Sequence, residues 1–165
     1  MRGYDPADWE QFFTALIAAA AALTGLLFVA VYINLSQILE HAKFLPARAA
    51  ETLATLLLVV VTSALALIPQ STRLLGVEIV IVVVPMLVVT VWRQISYRRQ
   101  NHDDPLLWTI SRIMVTATAT VPGTLAGFSL AGHWGGGFYW LAATTLLGIL
   151  GASYNAWVLL VEITR

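Results

Sequence analysis

Residues 106–130 read LLWTISRIMVTATATVPGTLAGFSL, a long apolar run in which Arg112 is the only charged residue. About 20 consecutive apolar residues allow a helix to cross a bilayer, so this run predicts a membrane span. Thr116, Thr120 and Thr124 follow Arg112 at intervals of four residues, which places all of them on one face of a helix. That polar stripe is expected either to pack against another helix or to line a polar path.

The composition of the whole chain indicates the same class of protein. Of its 165 residues, 59% are hydrophobic and only 11% are charged, whereas a soluble domain carries about 25% charged residues. Nine basic residues balance nine acidic ones, so no nucleic-acid partner is expected. The sequence has no cysteine, which excludes disulfides, thiol catalysis and cysteine–zinc sites.

Four further apolar segments predict an all-α, polytopic membrane protein, a single domain over residues 1–165 with five transmembrane helices. Asp5-Pro6 and Asp104-Pro105 each supply an N-cap and a first-turn proline, so both pairs mark helix starts. Residues 69–76 are predicted to form a turn, and the strongly polar residues 93–105 a connection. The predicted spans are about 11–39, 47–68, 77–95, 106–130 and 138–163.

Basic residues predict how the helices are oriented across the membrane. The first and third connections and the C-terminus carry most of them, whereas the opposite side has only Arg2 and Arg73. Cytoplasmic loops of membrane proteins carry the excess of Lys and Arg. The N-terminus is therefore predicted to lie outside and the C-terminus in the cytoplasm. The basic residues assigned to the cytoplasmic side are Lys43, Arg48, Arg93, Arg98, Arg99 and Arg165.

With this topology, polar residues from four helices are expected to converge at one depth near the cytoplasmic face. Ionisable groups within the membrane are functional candidates by default. We expect Arg112 to lie near Asn155 or Glu162, with Glu51 as an alternative partner. Alternatively, Arg112 extends to the lipid headgroups and the threonines bond to their own backbone carbonyls. The predicted cluster consists of Arg112, Glu51, Asn34, Asn155 and Glu162.

Small residues predict where helices approach one another closely. Ala18, Ala21 and Gly25 lie on one side of the first helix, and Gly148 and Gly151 belong to a stripe on the fifth. Such residues allow the close backbone contacts that hold helices together in lipid. The fourth and fifth helices are joined by a short loop and are expected to be antiparallel neighbours. Their stripes are then predicted to face each other or a common cavity.

No motif in the sequence supports catalysis or metal binding. The Gly-x-Ser-x-Gly and His-Glu-x-x-His patterns are absent, as is an intramembrane pair of aspartates. The three histidines are scattered along the chain, without the spacing of metal ligands. The protein is therefore predicted to be non-enzymatic, with no catalytic residue, no bound metal and no cofactor.

Two segments carry a family resemblance. LTGLLFVAVYINL at Leu23–Leu35 and NAWVLLVEITR at Asn155–Arg165 resemble segments of small multi-pass bacterial membrane proteins, most of which are uncharacterised. The resemblance implies a location in the bacterial cytoplasmic (inner) membrane, with the lipid bilayer as the first partner. It implies no particular mechanism.

The pattern leaves three functional hypotheses. In the first, the protein is a homo-oligomer that forms a channel or polar pore lined by the threonine and arginine stripe of helix four. In the second, it is a non-conducting scaffold or regulatory subunit that binds another membrane protein through its small-residue faces. In the third, Arg112 and Trp108 belong to an intramembrane enzyme or a lipid-binding site at the inner headgroup layer.

Overall fold

The computed structural model describes residues 3–35, 45–100 and 106–163 of the chain. Five of its helices are long and apolar enough to cross a membrane, and the described ranges contain no strand. The prediction of an all-α protein with five membrane-spanning helices is therefore confirmed. The helices are α1 (Glu10–Ile33), α2 (Leu45–Leu67), α3 (Thr72–Gln100), α4 (Leu106–Gly132) and α5 (Phe138–Ile163), with a 3₁₀ turn (Pro6–Trp9) before α1.

The first helix begins and ends on polar residues. The carboxylate of Asp5 accepts a hydrogen bond from the backbone N–H of Ala7 at 3.1 Å, the N-cap predicted for this position. At the other end the side-chain amide of Asn34 donates to the carbonyl of Ala30 at 2.9 Å. The helix therefore ends at Ile33, before the predicted end at 39, and residues 36–39 lie outside the described ranges.

Helix α3 differs most from its prediction. It covers 29 residues, Thr72–Gln100, and so takes in part of the predicted turn and much of the predicted connection. The hydroxyl of Ser71 accepts from the backbone N–H of Leu74 at 3.3 Å, which starts the helix earlier than expected. Arginine and glutamine are good helix formers, and Arg98 and Arg99 in the last turn suit the negative end of the helix dipole. The polar residues after position 92 therefore extend the helix instead of ending it.

Helices α2, α3, α4 and α5 surround a common interior. The most extensive contact is between α3 and α4, followed by α4 with α5 and α2 with α5, while α2 meets α3 more narrowly. Helix α1 lies outside this group and packs mainly on α2. The apolar core fills the half of the bundle around the start of α5. Its buried members include Phe13, Leu58, Ile79, Val83, Leu130, Phe138 and Leu141.

Glycines allow the closest helix contacts. A Cβ atom built on Gly76 of α3 would lie only 2.6 Å from the carbonyl oxygen of Gly127 on α4. Within α5, a Cβ on Gly148 would meet Val59 at 2.8 Å, and one on Gly151 would meet Val115 at 3.1 Å. The fifth helix therefore presents its two glycines to α2 and α4 respectively, as expected of residues that let backbones approach.

The small residues of α1 that were predicted to pack are exposed in the described structure, although another small residue, Ala20, is buried. Ala18, Ala21 and Gly25 are exposed, and no heavy atom outside the local backbone lies within 4 Å of a Cβ built on Gly25. Helix α1 instead buries a face that carries large side chains, Phe13, Leu16 and Leu27. Large side chains supply more contact area against α2 than alanine or glycine would. The small-residue face is therefore turned away from the bundle.

Candidate functional site

Polar side chains from four helices lie together at one end of the bundle. This end brings together the starts of α2 and α4 and the ends of α3 and α5. We call Glu51, Gln94, Thr116 and Asn155 the polar cluster. Glu51 belongs to α2, Gln94 to α3, Thr116 to α4 and Asn155 to α5. Each helix that surrounds the interior thus contributes one member.

Gln94 is the centre of the polar cluster. It is only 2% exposed, and its amide nitrogen Nε2 donates to the hydroxyl of Thr116 at 2.9 Å. The same nitrogen lies 3.4 Å from the carboxylate oxygen Oε2 of Glu51. The amide group is therefore oriented with Nε2 toward Glu51, whose carboxyl oxygen accepts from it.

The other end of the Gln94 amide is unsatisfied. Its carbonyl oxygen Oε1 is buried and accepts no hydrogen bond from any part of the chain that the structure describes. A buried acceptor without a partner costs about 1–3 kcal/mol. A group of this kind in a native fold calls for a water molecule, an ion or a functional role.

A small cavity lies beside the polar cluster. The space open to the centre of a water molecule is about 20 Å³, and about 10–15 Å³ of such space is enough for one water. Water also needs two to four polar partners, and the walls of this cavity supply them. The polar residues that line it are Glu51, Thr55, Thr90, Thr116, Thr120 and Asn155.

A second cavity adjoins the first. It has about 140 Å³ open to the centre of a water molecule and shares Glu51, Met86 and Thr90 with the smaller cavity. Its other walls include Val89 and Arg93, both of which are exposed. The second cavity therefore leads from the protein surface between α2 and α3 to the carboxylate of Glu51.

The threonine stripe of α4 faces inward. Thr120 is 2% exposed, and its hydroxyl donates to the carbonyl of Thr116 at 2.7 Å. The hydroxyl of Thr124 donates likewise to the carbonyl of Thr120 at 3.0 Å. Such bonds to the preceding turn are common for threonine in helices. The hydroxyl of Thr116 also accepts a hydrogen bond from Gln94 on the neighbouring helix.

The stripe of α5 lies opposite the stripe of α4. Thr144 is buried and lies against Gly123, where a Cβ would approach its methyl carbon to 3.1 Å. About two turns further along α5, Gly151 faces Val115. About one turn beyond Gly151, Asn155 lines the same cavity as Thr116. The two stripes therefore meet along a shared interior, with the cavity at its polar end.

The predicted cluster is brought together only in part. Glu51 and Asn155 line one cavity, but Asn34 bonds to its own helix at the end of α1 and lines neither of the two cavities. Arg112 and Glu162 lie within α4 and α5, but their side chains are outside the described part of the structure. The pairing of Arg112 with Asn155, Glu162 or Glu51 stays a prediction.

Two buried polar residues were not predicted as site members. Gln94 falls where the predicted third span (77–95) and the predicted connection (93–105) overlap, and its spacing of four from Thr90 continues the α3 face that lines the cavity. Arg48 was assigned to the membrane surface, yet it is only 8% exposed. It precedes Glu51 by three residues on α2, and both side chains have interaction partners in the fold. Arg48 was already placed in the first turn of the second span, and continuing the helical spacing of the third span past position 92 would have found Gln94.

The opposite end of the bundle holds a network of hydrogen bonds without a charged centre. The hydroxyl of Ser129, 1% exposed, accepts from the backbone N–H of Gly137 at 2.7 Å and bonds to the carbonyl of Trp134. The hydroxyl of Tyr4 lies 3.4 Å from the same oxygen. Gly137 has φ +56°, a backbone conformation that favours glycine. The glycine-rich loop is thus a tight turn that Ser129 closes.

Neither the local chemistry nor comparison with other proteins identifies an activity. No group of three or more His, Asp or Glu side chains that could hold a metal ion occurs among the residues searched, those that the structure describes. Comparison with protein-family models, curated proteins and solved structures finds no match to this chain. Function is therefore inferred from the geometry of the polar cluster and its cavities.

Proposed function

We propose that this is a non-enzymatic protein of the bacterial inner membrane that forms a channel, with a polar path inside each subunit. The observation that carries the proposal is the buried amide of Gln94, whose nitrogen faces the carboxylate of Glu51 and whose carbonyl oxygen has no partner among the described residues. Ionisable and unsatisfied polar groups at membrane depth are costly, and they mark ion and water pathways. The water-sized cavity next to them supports the same function.

The direction of the threonine stripe supports a path within the subunit. Thr120 is buried against the neighbouring helices, so the stripe is not available to line an axis between subunits. A homo-oligomer, as expected from the sequence, would then assemble several separate paths around its centre. The channel proposal therefore does not depend on the number of subunits.

The groups along the path favour a proton, water or a small cation. Glu51 offers a carboxylate, Asn155 an amide group and Thr90 and Thr116 hydroxyl groups to the small cavity. Carboxylates and carbonyl oxygens replace the hydration shell of cations in selective pores. Arg112 alone would favour anions, so the expected selectivity for cations is opposite to the one that Arg112 predicts.

The path is closed beyond the polar cluster by apolar side chains. Leu58 lines the small cavity and also belongs to the apolar core. Val83 and Leu141 continue this core toward the other end of the bundle. Apolar constrictions gate channels by excluding water, so we assign Leu58 to the gate and expect a polar residue at that position to open the path.

Flux into liposomes tests the proposal. Purified full-length protein is reconstituted, and proton and potassium flux are measured for the wild type, Glu51→Gln and Leu58→Ser. We expect Leu58→Ser to raise flux and Glu51→Gln to lower it about tenfold, since the loss of one carboxylate from the path is expected to raise the barrier by about 1.4 kcal/mol. Glu78→Gln is the matched control, because Glu78 accepts from Gln70 at the opposite end. Folded protein without flux in both the wild type and Leu58→Ser contradicts the channel.

A scaffold or regulatory subunit is the second candidate function. The exposed face of Ala18, Ala21 and Gly25 favours it, because this face leaves open space around Gly25 where the backbone of another helix fits. This function would be supported if one membrane protein copurifies from native membranes with the wild type and not with Gly25→Leu. If Gly25→Leu retains the same partner, this face does not take part in the interaction.

A further inference from the structure

An open pocket lies at the end of the bundle opposite the polar cluster. It has about 500 Å³ open to the centre of a water molecule and is lined by Asp8, Trp9, Phe12 and Tyr139, which we call the aromatic pocket. Ligand sites in proteins commonly have volumes of about 300–1,000 Å³. One carboxylate and three aromatic rings form its walls.

The rings of the aromatic pocket stand at right angles to one another. The ring of Tyr139 lies 4.9 Å from that of Trp9 with an angle of 86° between their planes. Phe12 lies 5.7 Å from Trp9 at 80°. Edge-to-face contacts of this kind hold the rings against one another, and all three aromatic side chains line the pocket.

Packing behind the pocket holds these rings in place. Trp9 stacks on Phe138 at 6.1 Å with an interplanar angle of 25°, and it also contacts Phe13 at 6.1 Å. Phe13 and Phe138 are almost fully buried, so the ring of Trp9 rests on the apolar core. The backbone N–H of Tyr139 donates to the carbonyl of Gly136 at 3.2 Å, which anchors the opposite wall. The pocket is therefore largely preformed.

The charge of the aromatic pocket is negative. Asp8 is exposed, and no donor in the described ranges hydrogen-bonds to its carboxylate. A cation in the pocket would meet the carboxylate of Asp8 and the aromatic side chains that line the pocket, and both kinds of group attract cations.

We propose that the aromatic pocket binds a substituted ammonium group, carried either by a lipid headgroup or by a small free amine. Aromatic rings attract organic ammonium ions through the negative faces of their π systems, and cages of such rings recognise quaternary ammonium ligands. A bare metal ion would keep its water shell more firmly and gain less from the rings. The location at the end of the membrane-spanning helices places the pocket where headgroups and solutes both reach it.

Fluorine NMR tests the proposal on the full-length protein. Tryptophan is replaced biosynthetically by 5-fluorotryptophan, and the Trp9 signal is assigned from its loss in Trp9→Phe. Tetramethylammonium is titrated in a maltoside detergent, with sodium at equal ionic strength as the control cation. We expect a saturable shift of the Trp9 signal with tetramethylammonium only. Asp8→Asn and Tyr139→Leu should each weaken binding about two- to fivefold, whereas Glu10→Gln, outside the pocket walls, should leave it unchanged.

Bilayers of defined composition distinguish the two sources of the ammonium group. In nanodiscs of phosphatidylcholine, a headgroup in the pocket shifts the Trp9 signal without added ligand, and tetramethylammonium then adds little. In nanodiscs of phosphatidylglycerol, the signal stays at the unliganded position until tetramethylammonium is added. If the signal is shifted only by added amine in both bilayers, the ligand is a free amine. No saturable shift in detergent or in either bilayer overturns the proposal.

Discussion

The amide nitrogen of Gln94 donates to the hydroxyl of Thr116 across 2.9 Å and so joins the end of α3 to the start of α4. This bond turns the amide so that its carbonyl oxygen is buried without a partner. The same nitrogen faces Glu51 of α2. One side chain thus connects three helices and still leaves an acceptor free for water or an ion.

Replacement of Gln94 separates a functional role from a structural one. Gln94→Leu loses two hydrogen bonds, each worth about 0.6 kcal/mol in membrane proteins, but it also removes the unsatisfied acceptor, which costs about 1–3 kcal/mol. We expect the free energy of unfolding to change by less than about 1 kcal/mol while liposome flux falls. Reversible unfolding in mixed micelles measures the first quantity. A large loss of stability with unchanged flux would make Gln94 a structural residue.

The contact between α3 and α4 predicts a strong effect of one methyl group. In Gly76→Ala the new Cβ meets the backbone of Gly127 and Ala131, so the helices must separate. We expect a destabilisation of about 1–3 kcal/mol, the usual cost of an overpacked contact. Gly25→Ala is the matched control, because open space surrounds that position and alanine favours the helix by up to about 1 kcal/mol. Equal effects at both positions would contradict the close approach of α3 and α4.

Two buried serines are expected to respond in opposite ways. Ser129→Ala removes the acceptor of the Gly137 N–H and leaves that donor buried, at a cost of about 1–3 kcal/mol. The hydroxyl of Ser63 on α2 is buried without a partner among the described residues, so Ser63→Ala should leave stability unchanged or raise it. Thermal unfolding of both variants tests this. A greater loss for Ser63→Ala would show that its hydroxyl has a partner.

The topology predicts which side of the membrane each connection faces. The sequence has no cysteine, so Ser71→Cys and His102→Cys each carry a single thiol. In intact cells an impermeant thiol reagent should label Ser71→Cys and not His102→Cys, because the basic residues near His102 in the sequence predict that this connection faces the cytoplasm. Lysed cells should label both variants. The reverse pattern would invert the orientation and place the polar cluster near the outer face.

The helices themselves could be predicted from the sequence because membrane spans are defined by length and apolarity alone. The end of α3 could not, since Arg93 and Gln94 look like a loop on a hydropathy scale. Helix propensity and packing against α4 carry the helix to Gln100. Gln94 lies at the predicted end of this span and for that reason was not assigned to the site.

The spacing of small residues indicates a helix contact on α4 but is misleading on α1. Gly123, Gly127 and Ala131 repeat at intervals of four on α4, a pattern that marks the contact with Gly76. The similar pattern of Ala21 and Gly25 on α1 faces away from the bundle. Spacing alone gives a face but not its partner, because the partner depends on how all five helices are arranged.

Block of flux at a single position of α4 tests the channel most directly. Thr120 lines the cavity, whereas Thr118 is exposed on the outer side of the same helix, and the absence of native cysteine gives each variant one thiol. A small cationic thiol reagent is applied to conducting liposomes that contain Thr120→Cys or Thr118→Cys. We expect flux through Thr120→Cys to fall to the level of empty liposomes and flux through Thr118→Cys to be unchanged. Equal block of both variants, or flux through Thr120→Cys that survives complete modification, would contradict a path inside the subunit.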